Sequence, residues 1–126
     1  MDLVLQNLLV KAAAGTAENI IWAPPNATDV YRLEALSYVP NATSAANGTN
    51  YATVRPYGGS TALAAARTTA SVDLTAATAE NVTFTDASSA RDITQANPLK
   101  IAVTHAASGV VVNLTVMAQL SKRRTV

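Results

Sequence analysis

The residues whose chemistry could support catalysis or metal binding are one histidine and eight carboxylates, in a chain of 126 residues without cysteine. His105 follows an apolar alternation and precedes a loop, and no nucleophile-elbow sequence accompanies it. Without thiolates, a zinc site at His105 would need distant carboxylates. The carboxylates form no Asp-x-Asp or Glu-x-x-His cluster. They are Asp2, Glu18, Asp29, Glu34, Asp73, Glu80, Asp86 and Asp92.

We therefore expect no catalytic residue, no cofactor-binding residue and no metal site, with His105 an ordinary surface or loop histidine. The Gly58–Thr61 segment has the glycines and hydroxyls of a phosphate loop but lacks the following lysine, so it predicts a turn. A glycosidase with two carboxylates is the enzyme alternative that the sequence leaves open. The shortage of catalytic residue types favours a protein that is not an enzyme.

Basic and aromatic side chains could instead contact a partner. Lys122, Arg123 and Arg124 near the C-terminus could bind an acidic protein surface, or form a solvated tail that keeps the last strand from pairing further. Three charges without a basic and aromatic stripe are too few for a nucleic-acid interface, and a net charge of +1 attracts neither nucleic acid nor an anionic membrane. Sugar stacking would need exposed aromatic rings, for which the candidates are Trp22, Tyr31, Tyr38, Tyr51 and Tyr57.

The elements that position these residues follow a period of two. Every second residue from Val110 to Leu120 is apolar, which predicts one long, half-buried strand. Residues 99–104 alternate in the same way, and the intervening Ala106–Gly109 segment predicts a hairpin loop. In residues 29–38 the apolar phase slips by one position, which predicts a β-bulge near Ala35–Leu36.

Shorter alternations predict further strands at residues 20–22, 51–56, 71–75 and 81–85, whereas the alanine-rich segment 61–67 predicts a short helical segment. Turn signals recur every eight to twelve positions or so. The sequence therefore predicts an all-β fold: a jelly-roll-like antiparallel β-sandwich of about seven to eight strands.

The first ten residues carry many apolar side chains, but ordering this segment costs conformational entropy. The free energy of burying Leu3, Leu5, Leu8, Leu9 and Val4 does not exceed the conformational entropy lost by ordering ten residues. We therefore expect an N-terminal arm over residues 1–17, ordered only against another subunit or a partner surface. The sandwich domain is expected over residues 18–126.

Composition points to a single domain with an unusually weakly charged surface. Charged residues make up 13% of the chain and aromatic residues 5%, while Ala and Thr together fill about a third of it, well above average usage. A core of small side chains buries less area, so subunit association is expected to add stability. The run from Leu3 to Val10 is too short to span a bilayer, and no export signal is expected.

Four stretches of the chain resemble tailed-phage head proteins. Residues 18–25 (ENIIWAPP) and 29–38 (DVYRLEALSY) resemble the opening of small head decoration proteins, and the segments TTASVDLTAATAENVTFT and NPLKIAVTHAASGVVVNLTVMAQL look like the same group. The resemblance covers residues from about Glu18 to the C-terminus. It is carried by composition and strand pattern and not by a catalytic motif.

This resemblance implies a decoration (cement) protein made in the host cytoplasm and bound to the capsid surface of the virion. Its implied partners are the major capsid protein and further copies of itself, with a trimer favoured and a dimer possible. Leu3, Leu5, Leu8, Leu9, Lys122, Arg123 and Arg124 are the contact residues that we predict. The alternative function is a carbohydrate- or host-binding module of a head fibre or tail.

Overall fold

The computed structural model describes residues 3–85 and 89–123, with side chains from Gln6 onwards. The described residues form ten strands and one short 3-10 turn, Ser89–Arg91. The longer strands are β1 (Leu3–Ala12), β2 (Glu18–Trp22), β3 (Tyr31–Pro40), β4 (Tyr51–Gly58), β9 (Leu99–Ala106) and β10 (Val112–Lys122). The two-residue strands are β5 (Thr61–Ala62), β6 (Arg67–Thr68), β7 (Glu80–Asn81) and β8 (Asp92–Ile93).

These strands make two antiparallel sheets. Sheet A has the order β1-β10-β3-β7, with β8 also pairing with β3. Sheet B has the order β2-β9-β4-β5, with β6 also pairing with β4. The all-β antiparallel sandwich predicted from the sequence is confirmed.

The core lies between the sheets and follows the period of two. In β10, the alternate residues Val112, Leu114 and Val116 are fully buried. The loops add Leu63 and Leu74, also excluded from water. Each fully buried aliphatic side chain contributes about 1.5–3 kcal/mol. The largest fully buried side chains in the strands of the two sheets are Leu33, Ile93, Leu99, Ile101, Leu114 and Leu120.

The predicted hairpin between residues 99–104 and 110–120 is wrong. Both segments are strands, but β9 pairs with β2 and β4 in sheet B, whereas β10 pairs with β1 and β3 in sheet A. The connection therefore passes from sheet B to sheet A instead of folding back in one sheet. Ala107 and Gly109 have φ values of 52° and 65°, and a Cβ at Gly109 would lie 2.3 Å from His105 Nδ1. Glycine is thus required at position 109 by both backbone and space.

A bulge interrupts the pairing of β3 with β10. Gln119 lies opposite Ala35 and Leu120 lies opposite Leu33, so Glu34 is the extra residue. The buried positions accordingly shift from Leu33 to Leu36. The bulge predicted from the phase slip is present, centred one residue earlier than expected.

The N-terminal segment differs from the arm expected over residues 1–17. Leu3–Ala12 forms strand β1, which pairs with β10 along its whole length, from Leu3 opposite Ser121 to Ala12 opposite Val112. Val10 and Ala12 belong to the core. The expectation counted only side-chain burial and omitted the backbone hydrogen bonds that β10 supplies.

The middle of the chain is less regular than predicted. Segment 71–75 contributes only an isolated bridge between Leu74 and Ser44, and segment 81–85 contributes β7 and a bridge between Phe84 and Ala64. The helical segment expected over 61–67 is wrong, because Thr61 and Ala62 form β5, Arg67 begins β6, and residues 63–66 between them are not helical. Within the described ranges, no helix is long and apolar enough to cross a membrane.

The neighbouring residues Leu9 and Val10 test whether β1 belongs to the folded monomer. We expect Val10→Ala to lower the free energy of unfolding by about 1–3 kcal/mol, because Val10 is fully buried. Leu9→Ala should lower it by less than about 0.5 kcal/mol, since Leu9 is 52% exposed. Denaturant unfolding at low protein concentration measures both. Equal, small effects of the two substitutions would show that β1 is detached in the monomer.

Candidate binding face

The solvent side of sheet A is a broad, weakly charged face formed by three adjacent strands. We call this the outer face, made of every second residue of the central parts of β1, β10 and β3. Leu9 is 52% exposed and Met117 48% exposed, two large apolar side chains on the side that alternation assigns to water. The outer face comprises Asn7, Leu9, Lys11, Ala35, Ser37, Val39, Thr115, Met117 and Gln119.

A groove of about 400 Å³ lies on this face beside the bulge of β3. Its apolar lining comes from β3, β10 and the segment after β7, and polar side chains lie between the apolar ones. The apolar residues are Ala35, Leu36, Val82, Phe84, Met117 and Ala118. The polar residues are Asn7, Glu34, Ser37, Asn81 and Gln119.

The groove opens where β3 lacks a neighbouring strand. Along the edge that faces away from β10, β3 pairs with β7 at Ser37–Tyr38 and with β8 at Tyr31–Arg32. Among the described residues, Glu34 and Ala35 have no ladder partner on that side. The Ser121 hydroxyl donates a 2.6 Å hydrogen bond to Glu34 Oε1, which fixes the bulged residue. The bulge thus exposes Ala35 and holds a carboxylate at the groove.

The segment that closes the groove is held at several points. The Val82 amide donates to the Leu36 carbonyl at 2.8 Å, and the Thr85 amide donates to the Leu63 carbonyl at 2.9 Å. The Arg91 guanidinium lies 4.7 Å from the centroid of the Phe84 ring. These contacts let Val82 and Phe84 form one wall of the groove, a wall that the sequence pattern did not predict.

The predicted contact leucines separate into two environments. Leu9 lies on the outer face, whereas Leu8 is half-buried and packs against the core. The backbones of Leu3 and Leu5 lie in β1, but their side chains fall outside the described part of the structure. Of the leucines with described side chains, only Leu9 is therefore freely available to a partner.

The basic residues at the C-terminus lie beside the start of β1. Ser121, which precedes them, is opposite Leu3, whereas Leu8 and Leu9 lie farther along β10, opposite Val116 and Thr115. Lys122 Nζ is 3.6 Å from Asp29 Oδ2, and the Arg123 amide donates to the Val30 carbonyl at 2.7 Å. Arg124 lies outside the described residues.

The aromatic candidates for sugar stacking are largely engaged within the fold. Trp22 and Tyr31 pack edge to face with centroids 5.6 Å apart, and Tyr38 is buried in the core. Tyr57 is half-buried and has Lys100 Nζ 4.7 Å from its ring centroid. One face of the Tyr57 ring is therefore already covered.

His105 contributes to the packing of loops rather than to a cluster of reactive groups. Its Nε2 is 3.0 Å from the Thr16 carbonyl oxygen, and its ring adjoins Gly109. In residues 3–85 and 89–123, no three His, Asp or Glu side chains are grouped so that they could hold a metal ion.

A polar network around Arg67 fixes the loop that joins β6 of sheet B to β7 of sheet A. Arg67 Nε and Nη2 donate to the two carboxylate oxygens of Glu80 at 2.7 and 2.8 Å, and Nη2 also donates to the Asp73 carbonyl at 2.8 Å. Hydrogen bonding to Glu80 raises the pKa of Arg67. Burial raises the pKa of Tyr38, and the charge of Glu80 raises it further.

Several residues of the outer face and of the groove beside it were not recognised from the sequence. Met117 carried a signal, since it and Val111 are the two large apolar residues on the polar side of the predicted 110–120 strand. Ala35 carried another, through the phase slip. Val82 and Phe84 gave no sign of forming a groove wall, because that role depends on β7 pairing with β3, which the sequence pattern does not report.

Comparisons with known proteins give little further information. No family model matches the chain, and no curated protein matches it. Among solved structures, it is similar to a chain of Bacillus endospore appendages, described as a novel family of disulfide-linked pili. The identity is 16% and the TM-score 0.45, covering 97% of this chain and 89% of that chain. These values are too low to assign a shared function.

The position of Tyr38 predicts a loss of stability at alkaline pH. Its pKa is raised in the folded state, so above about pH 10 the unfolded chain releases a proton that the folded chain retains. We expect the free energy of unfolding to fall with pH there, with Tyr38 contributing a slope of up to about 1.4 kcal/mol per pH unit.

Tyr38→Phe should remove this part of the slope. Denaturant unfolding between about pH 9 and pH 11.5 measures it, and Tyr51→Phe controls for the loss of a phenol. An unchanged slope in Tyr38→Phe would contradict the assignment.

Proposed function

We propose that this protein is a structural subunit without enzymatic activity, a decoration protein that binds the outside of a tailed-phage head and stabilises the shell. The observation that carries the proposal is the outer face of sheet A. It presents Leu9 on β1, Met117 on the doubly paired β10, and an adjoining groove. Exposed apolar surface rimmed by polar groups is typical of protein interaction sites.

The distribution of charge on this face supports contact with a protein. Its central positions, including Ser37, Thr115 and Met117, carry no charge, and Lys11 lies near one end. The interior of a protein interface is depleted of charged residues, which are costly to desolvate. Lys122 and Arg123 lie at the opposite end. They and Arg124, which lies outside the described residues, are proposed to contact acidic groups at the rim.

The resemblance of residues from about Glu18 onwards to small head decoration proteins supports the phage context. In this proposal the partner is the major capsid protein, the location is the capsid surface of the virion, and the protein acts as a homo-oligomer. An oligomeric state favours tight attachment, because a symmetric oligomer makes several equivalent weak contacts with the capsid lattice at once.

The number of copies per particle tests the proposal directly. In purified virions of the phage that encodes the chain, we expect a ratio to the major capsid protein of one, or of a simple fraction such as one third or one half. Quantitative mass spectrometry of intact particles provides the ratio. A few copies per virion would indicate a fibre or tail part, and absence from the virion would refute the proposal.

Substitution of Met117 tests whether the outer face is the surface that binds the shell. We expect Met117→Lys to weaken binding to shells lacking the protein at least about tenfold, because a charge would be buried in the contact. Ile21→Lys is the matched control, since Ile21 is 60% exposed on β2 of the other sheet. It should change binding less than about twofold. Sedimentation of protein with shells measures both, and equal binding by wild type and Met117→Lys would exclude the outer face.

A further inference from the structure

The edges of the two sheets differ in length and in protection. Strands β5, β6, β7 and β8 have two residues each, and the edge strand β2 has five and begins with Glu18. Edge strand β1 has ten residues. Natural sandwiches protect their edges by short strands, charges, prolines or bulges. Strand β1 has no proline, one charged residue at Lys11, and an unbroken register with β10.

We propose that a second copy of this chain covers this edge, with the two β1 strands paired antiparallel across a two-fold axis at Asn7. A strand edge offers a row of backbone N–H and C=O groups, and the chemistry that satisfies it is another extended strand. Pairing of this kind joins sheet A of both copies into one continuous sheet.

The alternation along β1 makes such pairing self-complementary. Asn7, Leu9 and Lys11 are exposed on the outer face, whereas Val10 and Ala12 face the core. An antiparallel pair related by an axis through Asn7 sets odd positions opposite odd positions and even opposite even. The core side of one copy therefore continues the core side of the other. A register shifted by one residue would oppose the two faces and is disfavoured.

The charges along β1 also fit this arrangement. With the axis at Asn7, Lys11 lies opposite position 3 of the second copy, so the two lysines do not oppose each other. Asn7 of one copy lies opposite Asn7 of the other, so the two side-chain amides can exchange hydrogen bonds. An isologous contact of this kind closes as a dimer.

This pairing uses the edge of β1, whereas the proposed shell attachment uses the outer face. The two proposals can therefore fail separately. Met117→Lys should remain dimeric even if it no longer binds shells. A dimer formed through β1 would select the dimer over the trimer favoured on the resemblance.

Charge reversal at the axis tests the pairing. We expect the purified full chain to sediment at twice its 13.0 kDa mass. Asn7→Asp and Asn7→Lys should each raise the dimer dissociation constant at least about tenfold, because two like charges would meet. Mixing the two variants should restore a dimer. Asn19→Asp and Asn19→Lys are the matched controls, since Asn19 is exposed on edge strand β2.

An introduced cysteine gives a second readout that does not depend on charge. Since the chain has no cysteine, Asn7→Cys should form a disulfide-linked dimer on mild oxidation, and Asn19→Cys should not. Circular dichroism confirms that each variant is folded. A monomer at all concentrations, a trimer, or a dimer indifferent to both Asn7 charges would overturn the proposal.

Discussion

The double pairing of β10 is the interaction on which the rest of the sandwich depends. This strand pairs with β1 from Val112 to Ser121 and with β3 from Leu114 to Lys122, so it has no open edge over most of its length. Its alternate side chains are excluded from water and form the middle of the core. A slip of one residue would move all of them to the solvent side. β10 therefore sets the register of both neighbouring strands.

The two neighbours of β10 respond differently to this constraint. β1 follows it without interruption, whereas β3 accommodates an extra residue at Glu34. The extra residue shifts the buried phase of β3, leaves Ala35 exposed and lets Ser121 bond the bulged carboxylate. Sheet A is consequently continuous on the β1 side and interrupted on the β3 side. The long free edge and the groove therefore arise on opposite sides of the same central strand.

Sequence pattern predicted the elements that depend on local burial and missed those that depend on which strands are neighbours. Alternation identified β4, β9 and β10 and placed the bulge within a residue, because a period of two reports which face is buried. It does not report the sheet to which a strand belongs, so the crossing at Ala107–Gly109 was taken for a hairpin. For the same reason, Met117 was visible from the sequence, whereas the wall formed by Val82 and Phe84 was not.

Strand β1 shows why burial alone does not decide whether a terminal segment is folded. Counted by itself, its apolar burial does not exceed the entropy of ordering it. Without β1, however, β10 would lose its backbone partners along one side, and Val10 would leave the core. Much of the contribution of β1 is therefore the protection of β10, a contribution that the sequence of β1 does not contain. The same protection moves the open edge from β10 to β1, because no other strand of the described residues pairs with the ten-residue β1 on its far side. In an open sandwich, such an edge ends only where a further strand, a shorter strand or a charged residue terminates it.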